Sequence, residues 1–355
     1  MIALDVVKKF GFLYQRIGGL LPWRLVEKIK VVSFALMSPT VITGGIYAYG
    51  ESFKSFFMSK SAFKEIDVLK EGLDSRSLKL LEILLWRILN FPEYDIPMHL
   101  IQIPKEVFTR EELDDEIRWF AYQKKCFRLW KFDDFYTAPT FYYHNGLKNI
   151  SNKFLNYIKG KDFLDLGAYA GDSVLVFQEY GPRKVIAFDV SRLNAEKFWK
   201  TMFQNKIPKE RVELIIAGVS DSCGKLKIND SGLDDTSLLL HGETEVDTIT
   251  IDNFIKQRKQ SLNVGFIKMD IEGFGLQAIH GMVETIKQYR PVLALAVYHN
   301  PSEFFRIKPF IASLDINYRF AIRKFSHAAL TGETYLMAWP MELGDYGESF
   351  SITGV

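Results

Sequence analysis

Cysteine and net charge are the two things that this chain of 355 residues has little of. Its two cysteines, Cys126 and Cys223, lie far apart and lack the paired spacing of a zinc site or a redox motif. They indicate a reducing compartment and no thiol function. Lys and Arg number 45 against 43 Asp and Glu, for a net charge of +2 without a long basic tract. Because a dedicated nucleic-acid binder needs such a tract, we expect no nucleic-acid partner.

A signal-peptide pattern is also missing from the start of the sequence, where charged residues interrupt the first ten positions. Residues 31–50 carry no charge, but Ser, Thr, Gly and Pro39 dilute their apolar character. This composition favours a buried helix broken at Pro39, or a contact with a membrane surface, over a transmembrane span. We therefore expect a cytoplasmic protein and keep peripheral membrane association open.

The amino-terminal part of the chain is predicted to be helical. Apolar residues recur at helical spacing up to about residue 103, most clearly within residues 78–89. Thr109, followed three residues later by Glu112, predicts a capping box at the start of a further helix. We assign residues 1–145 to a helical region that shapes an acceptor cleft, forms an oligomer contact or docks on a membrane. The oligomeric state stays open.

From residue 146 to residue 355 the pattern changes to short β-rich runs that alternate with amphipathic stretches. Such alternation is typical of an α/β fold with a parallel sheet and helical crossovers. Two further extended pieces are predicted at residues 225–228 and 245–251. The seven main strands are predicted at residues 162–166, 184–188, 212–218, 266–269, 292–297, 318–323 and 334–339.

A glycine-containing loop follows the first predicted strand, where ligands of open α/β sheets bind. It reads Gly167-Ala168-Tyr169-Ala170-Gly171, with Asp165 before it. A dinucleotide site needs a denser glycine pattern, and nearby carboxylates would repel a pyrophosphate. They would instead suit the cationic methionine end of S-adenosylmethionine. The cofactor residues predicted here are Asp165, Gly167, Ala168, Tyr169, Gly171, Asp172 and Ser173.

Polar residues also end the later strands. Asp189, beside Val190, could accept hydrogen bonds from both hydroxyls of a ribose. Ser220 is suited to the adenine amino group. Asp270 ends the fourth main strand and His299 the fifth, so a nucleotide site along this edge of the sheet is predicted. We count Asp189, Val190, Ser220 and Asp270 among the cofactor-binding residues.

Four motifs in this order make residues 163–339 similar to the FkbM family of S-adenosylmethionine-dependent methyltransferases. They are the glycine loop, residues 246–254, residues 267–273 and residues 291–299. The resemblance implies a class I methyltransferase fold, which is Rossmann-like, with a seven-stranded sheet whose last strand runs antiparallel. It also implies O-methylation, commonly of sugars in surface polysaccharides, glycolipids or secondary metabolites.

Two positions depart from the family pattern. Asp189-Val190 stands where relatives often carry Glu-Pro, and Gly275 stands where the Asp-x-Glu-Gly motif usually continues with a second Glu. If that carboxylate positions cofactor or substrate, its loss would impair catalysis. A catalytically impaired scaffold or sensor that binds S-adenosylmethionine is therefore the alternative. A nicotinamide-dependent oxidoreductase is a third hypothesis, which the loop spacing disfavours.

Methyl transfer to a hydroxyl requires a base. His299 is the candidate, because its imidazole titrates near neutrality. Asp270 and Glu272 compete for this role or hold the acceptor. These two could share a metal ion with Asp221, but no spacing requires one, and we expect none. Tyr142, Tyr143 and His144 either close over the cofactor or pack at the joint between the two regions.

Overall fold

The computed structural model of the protein describes residues 40–43, 50–90, 101–104, 107–148, 150–228, 244–326 and 330–346. Most of the apolar segment at residues 31–50, including Pro39, lies outside these ranges. Within them, none of the helices combines the length and the apolar character that crossing a bilayer would require.

The described chain before residue 146 is mainly helical, with one exception. Two short strands, β1 (Thr40–Thr43) and β2 (Ile101–Pro104), pair antiparallel within the region that the sequence predicts as helical. Thr109 accepts a hydrogen bond from the backbone of Glu112, and Glu112 returns one, which confirms the predicted capping box. The helices are α1 (Gly50–Phe57), α2 (Ala62–Lys70), α3 (Ser75–Asn90), α4 (Arg110–Leu129) and α5 (Ala138–Phe141).

The rest of the described chain alternates strands with helices. The strands are β3 (Asp162–Leu166), β4 (Val185–Asp189), β5 (Val212–Ile216), β6 (Gly218–Val219), β7 (Gly224–Ile228), β8 (Thr244–Ile249), β9 (Val264–Met269), β10 (Val292–Ala296), β11 (Tyr318–Lys324) and β12 (Thr334–Pro340). The helices are α6 (Asn152–Ile158), α7 (Asp172–Phe177), α8 (Arg192–Gln204), α9 (Ile251–Lys256), α10 (Gly275–His280), α11 (Val283–Tyr289) and α12 (Pro301–Ser313).

Seven of these strands form one sheet in the order β11-β12-β10-β9-β3-β4-β5. Strand β12 runs antiparallel to both of its neighbours, while β10, β9, β3, β4 and β5 pair in parallel. The predicted fold class is confirmed, including the antiparallel last strand. In the parallel part, the carboxyl ends of the strands meet at one edge, and the site lies there.

Two predicted strands end two residues earlier than expected, for local reasons. The strand predicted at residues 212–218 stops at Ile216, because Gly218–Val219 pairs with β8 in a separate three-stranded sheet. The piece predicted at residues 245–251 stops at Ile249. There, the side chain of Thr250 accepts a hydrogen bond from the backbone of Asn253 and caps α9.

The helical region shares its core with both faces of the sheet. Successive residues of a strand point to opposite faces, so Phe163 and Leu164 of β3 enter different hydrophobic clusters. Leu164 packs in the cluster that contains side chains of α1, α2 and α3. Phe163 packs in the cluster that contains Trp119 and Cys126 of α4. Helices on both faces explain why β3 and β10 are buried along their whole lengths.

Candidate functional site

The loop after β3 requires glycine at its first turn. Gly167 has a φ of +84°, and a Cβ atom there would lie 1.7 Å from the carbonyl oxygen of Asp270. Its backbone N–H donates to the carbonyl of Phe188 at 3.0 Å. The loop is therefore wedged between the ends of β4 and β9, where a side chain on residue 167 has no space.

Lys268 of β9 holds this loop through a hydrogen bond to its backbone. Its Nζ donates to the carbonyl oxygen of Gly167 at 2.6 Å and lies 3.3 Å from Oδ1 of Asp165. Asp165 is fully buried, and burial raises the pKa of its carboxyl to about 7 even though Lys268 opposes the shift. Lys268 therefore combines an ion pair with Asp165 and a direct hydrogen bond to the glycine loop.

Asp189 at the end of β4 also organises the loop. Its Oδ2 accepts from the backbone N–H of Tyr169 at 2.8 Å, and its Oδ1 accepts from the backbone N–H of Ser191 at 2.8 Å. Burial raises the pKa of this carboxyl, against the effect of these two hydrogen bonds. The contact with a ribose stays a prediction.

A cavity of about 420 Å³ opens beside the loop, at the carboxyl ends of the strands. This volume is in the range of small-molecule sites. Six predicted site residues line it: Gly167, Tyr169, Asp172, Ser173, Asp270 and Glu272. The others are not among its lining residues; they are Asp165, Ala168, Gly171, Asp189, Val190, Ser220 and His299. All of these except Val190 are buried.

Negative charge dominates this wall. Four carboxylates, those of Asp172, Asp270, Glu272 and Glu333, share it with the ammonium of Lys268. Burial raises the pKa of Glu333 to about 8, and the nearby carboxylate of Asp270 adds to the shift. Ionising every carboxyl group is therefore unfavourable unless a cation enters the cavity. The arrangement suits a positively charged ligand.

His299 lies behind the wall among three carboxylates and is 1% exposed. Its Nε2 is 3.1 Å from Oδ1 of Asp270 and 3.6 Å from Oε2 of Glu272, while its Nδ1 is 3.0 Å from Oε2 of Glu303. Burial lowers the pKa of the imidazole, but the hydrogen bonds of the carboxylates outweigh burial and raise it well above its usual value. The expectation that His299 titrates near neutrality was therefore wrong, because three carboxylates surround the ring. The structure thus brings together the three residues that the sequence singled out for catalysis.

The same three residues could also hold a cation. One ligand atom from each of Asp270, Glu272 and His299 lies within 4.8 Å of the other two, the single such group found among the described residues. Asp221, which the sequence suggested as a third partner, is not in this group. The expectation of no metal stays a prediction, and chelation of the protein would test it.

Residues 165–325 match the family model described as the methyltransferase FkbM domain. This chain carries an FkbM methyltransferase domain. A search of curated proteins found no match. Among solved structures, methyltransferase FkbM from Methylobacillus flagellatus KT is similar over 79% of this chain, with 17% identity and a TM-score of 0.52. At this identity the likeness shows the fold. The match covers 59% of the length of that protein.

Two further solved structures are more distant. An rRNA methylase from Streptococcus thermophilus aligns over 58% of this chain and 98% of its own, with 13% identity and a TM-score of 0.36. Aeropyrum pernix fibrillarin, with natively bound S-adenosyl-L-methionine, aligns over 51% of this chain and 66% of its own, with 9% identity and a TM-score of 0.32.

A segment before the FkbM domain closes one side of the cavity, and sequence analysis missed it. Phe135, Thr137, Pro139 and Thr140 line the cavity, and Oγ1 of Thr140 donates to Oδ2 of Asp172 at 2.9 Å. The polar Thr137 and Thr140 within an aromatic stretch were the available signal.

The aromatic residues proposed as a lid lie elsewhere. Tyr143 donates its hydroxyl hydrogen to Asp115 at 2.9 Å, and Nδ1 of His144 lies 2.7 Å from the hydroxyl of Tyr180. Tyr142, Tyr143 and His144 are not among the residues that line the cavity. Packing at the joint, the second interpretation of these residues, agrees with the contacts of Tyr143 and His144.

Proposed function

We propose that this chain is an S-adenosylmethionine-dependent O-methyltransferase that acts on a hydroxyl of a sugar in a surface glycan, a glycolipid or a secondary metabolite. The observation that carries the proposal is the pairing of Asp270, on the cavity wall, with His299 directly behind it, at 3.1 Å. A base beside an acidic cavity is what a cationic methyl donor and a hydroxyl acceptor together require. No nucleic-acid partner is included in the proposal.

The residues of the cavity fit this cofactor. S-adenosylmethionine carries a sulfonium and an ammonium group, and Asp172 and Asp270 offer carboxylates to them while Gly167 and Tyr169 present the loop. A nicotinamide dinucleotide would instead bring an anionic pyrophosphate to the same carboxylates. When bound, S-adenosylmethionine supplies an electrophilic methyl group for in-line displacement.

The chain's own residues would orient the acceptor and take its proton. Asp270 and Glu272 line the cavity in front of His299, so the acceptor hydroxyl meets these carboxylates first. Tyr335 donates its hydroxyl hydrogen to Oδ2 of Asp270 at 3.0 Å and thereby leaves Oδ1 directed toward His299. We propose that Asp270 and His299 act as one base, which receives the proton as the new O–C bond forms.

Two measurements test the proposal. Calorimetry with S-adenosylmethionine, S-adenosylhomocysteine and NAD should show binding of the first two and none of NAD. Transfer of a radiolabelled methyl group to a panel of glycans and small hydroxyl compounds should then identify the acceptor class. Tight binding of NAD without binding of S-adenosylmethionine would refute the cofactor.

Gly275 favours a second candidate, a scaffold or sensor that binds S-adenosylmethionine without turnover. The two candidates differ in whether methyl groups leave the cofactor. Cofactor binding with no transfer to any member of the acceptor panel would favour the scaffold.

For location, we propose a cytoplasmic protein that contacts membranes peripherally through residues 31–50. Its support is the uncharged composition of that segment, which follows Lys28 and Lys30 closely in sequence. Flotation of the full chain with liposomes containing anionic lipid tests it. Equal recovery in the bottom fraction with and without liposomes would count against the contact.

A further inference from the structure

Gly275 occupies the position where the family motif usually carries a second glutamate, and the structure fills the space beside it from another element. A Cβ atom built on Gly275 would lie 2.7 Å from Oε1 of Glu303 and 2.8 Å from Cε of Met269. Glu303 belongs to the first turn of α12, 28 residues further along the chain. The carboxylate of Glu303 therefore stands where a side chain on residue 275 would begin.

Glu303 is 1% exposed, and both of its oxygens are engaged. Oε1 accepts from the backbone N–H of Gly275 at 2.6 Å, and Oε2 lies 3.0 Å from Nδ1 of His299. Because an ionised carboxylate can only accept, this contact places a hydrogen on Nδ1. In the neutral imidazole the lone pair then lies on Nε2, the atom that faces Asp270 and Glu272.

The start of α12 holds this carboxylate in place. Asn300 caps the helix, with its Oδ1 accepting from the backbone N–H of Glu303 at 3.0 Å. The amide of the same Asn300 donates to the carbonyl oxygen of Gly273 at 2.9 Å. The helix start is thus tied directly to the loop that carries Asp270 and Glu272, and the glutamate has little freedom to turn away from His299.

We infer that Glu303 is the positioning residue of His299 and takes over, from α12, the place of the glutamate that the family motif carries at position 275. Gly275 is then an accommodation of Glu303 and not a sign of lost catalysis. The consequence for turnover rests on the proposed function. The consequence for the tautomer of His299 is independent of that function, because the tautomer can be measured without an acceptor substrate.

Glutamine at position 303 separates positioning from packing. It keeps the size of glutamate but has one accepting oxygen for two donors, the N–H of Gly275 and Nδ1–H of His299. If the oxygen stays with Gly275, the amide NH₂ group faces Nδ1 and favours the opposite tautomer. A carboxylate is the group that satisfies both donors at once.

The experiment compares Glu303→Gln and Glu303→Ala with the double variants G275E/E303A and G275A/E303A. The tautomer of His299 is read by ¹⁵N NMR of histidine-labelled full-length protein across a pH titration. Cofactor affinity is read by calorimetry, and kcat and KM by methyl transfer. The alanine pair is the matched control, because it fills part of the space without restoring a carboxylate.

At the high pH where the imidazole of His299 is neutral, we expect Nδ1–H in the wild-type protein and its loss in E303Q and E303A. We also expect kcat to fall by about 10- to 100-fold, with cofactor affinity within about twofold. G275E/E303A should restore the tautomer of His299 and recover at least about a third of the loss in log kcat. G275A/E303A should restore neither. Recovery by both double variants would indicate packing alone and overturn the inference. So would an unchanged tautomer in E303Q.

Failure of the proposed function gives a different result. A wild-type protein that transfers no methyl group would refute the methyltransferase activity, while the NMR comparison would still decide the role of Glu303. If E303A does not fold, E303Q and the two double variants carry the same comparison.

Discussion

The backbone N–H of Tyr169 donates to Oδ2 of Asp189 at 2.8 Å, so the acid that ends β4 holds the loop that follows β3. Tyr169 has a φ of +44°, a conformation that a tyrosine rarely adopts without support. The residue predicted to bind a ribose therefore also shapes the loop predicted to bind the rest of the cofactor.

Asp189→Asn should weaken cofactor binding and destabilise the loop that follows β3. Asparagine offers one accepting oxygen to two backbone donors, those of Tyr169 and Ser191, so one of them loses its partner. We expect S-adenosylmethionine to bind about 10- to 100-fold more weakly in calorimetry, and the protein to lose about 1–3 kcal/mol of unfolding free energy in urea. The exposed Asp247→Asn is the control, with no change in either quantity. Unaltered affinity in D189N would show that Asp189 does not contact the cofactor.

His299→Gln should abolish most of the methyl transfer and leave the cofactor in place. Removing a general base lowers rates by about 10²- to 10⁴-fold. His299 is not among the lining residues of the cavity, so the dissociation constant for S-adenosylhomocysteine should change by less than about threefold. His280→Gln, at an exposed position on α10, is the matched control. Turnover at the wild-type rate would show that His299 is not part of the general base.

Cofactor binding should strengthen as the pH rises from 6 to 8. Burial raises the pKa of Asp165 to about 7 and that of Glu333 to about 8, so both carboxyl groups hold protons over part of this range. A bound cation favours their ionised forms and lowers both pKa values, and protons are then released on binding. Affinity therefore increases with pH through these values, by about tenfold for one unit of pKa shift at one group.

Calorimetry in two buffers with different ionisation enthalpies measures this proton release directly. S-adenosylhomocysteine, which lacks the sulfonium charge, should release fewer protons than S-adenosylmethionine. Glu333→Gln should reduce the release and flatten the pH dependence above pH 7. Affinity for S-adenosylmethionine that falls as the pH rises would contradict the predicted release of protons.

The ion pair between Arg87 and Glu112 should be essential for stability. Arg87 of α3 is buried, and Glu112 of α4 accepts two hydrogen bonds from it at 2.7 and 2.6 Å. Arg87 also donates to the carbonyl oxygen of Leu330 at 3.0 Å, which links α3 to the segment before β12. Glu112→Ala leaves a buried charge without its anion and should cost about 3–5 kcal/mol in urea unfolding.

The neighbouring Glu111 provides the control for this prediction. Its ion pair with Arg76, at 3.0 Å, is exposed on both sides. Glu111→Ala should therefore change the unfolding free energy by less than about 1 kcal/mol. Equal losses in the two variants would mean that the burial of Arg87 does not decide the effect.

Local sequence patterns were sufficient to predict the strands of the main sheet and the glycine loop. The main strands are short and rich in apolar residues, so their positions could be predicted to within two residues. The largest differences at the carboxyl ends lie where Gly218 and Thr250 begin other structures. The capping box at Thr109 and the order of motifs around Gly167 are also readable from neighbouring residues. The β1–β2 pair was missed, because pairing between strands far apart in the chain leaves little local signal.

The sequence by itself predicted the α/β fold and the glycine loop and singled out Asp270, Glu272 and His299, and its resemblance to the FkbM family implied the antiparallel last strand. Only the tertiary structure decided that Glu303 occupies the space at Gly275, that Thr140 contacts Asp172, and that the helices before residue 146 cover both faces of the sheet. The physical reason is distance along the chain. These contacts join elements whose mutual position depends on the packing of the whole core, and periodicity and motifs describe each element alone.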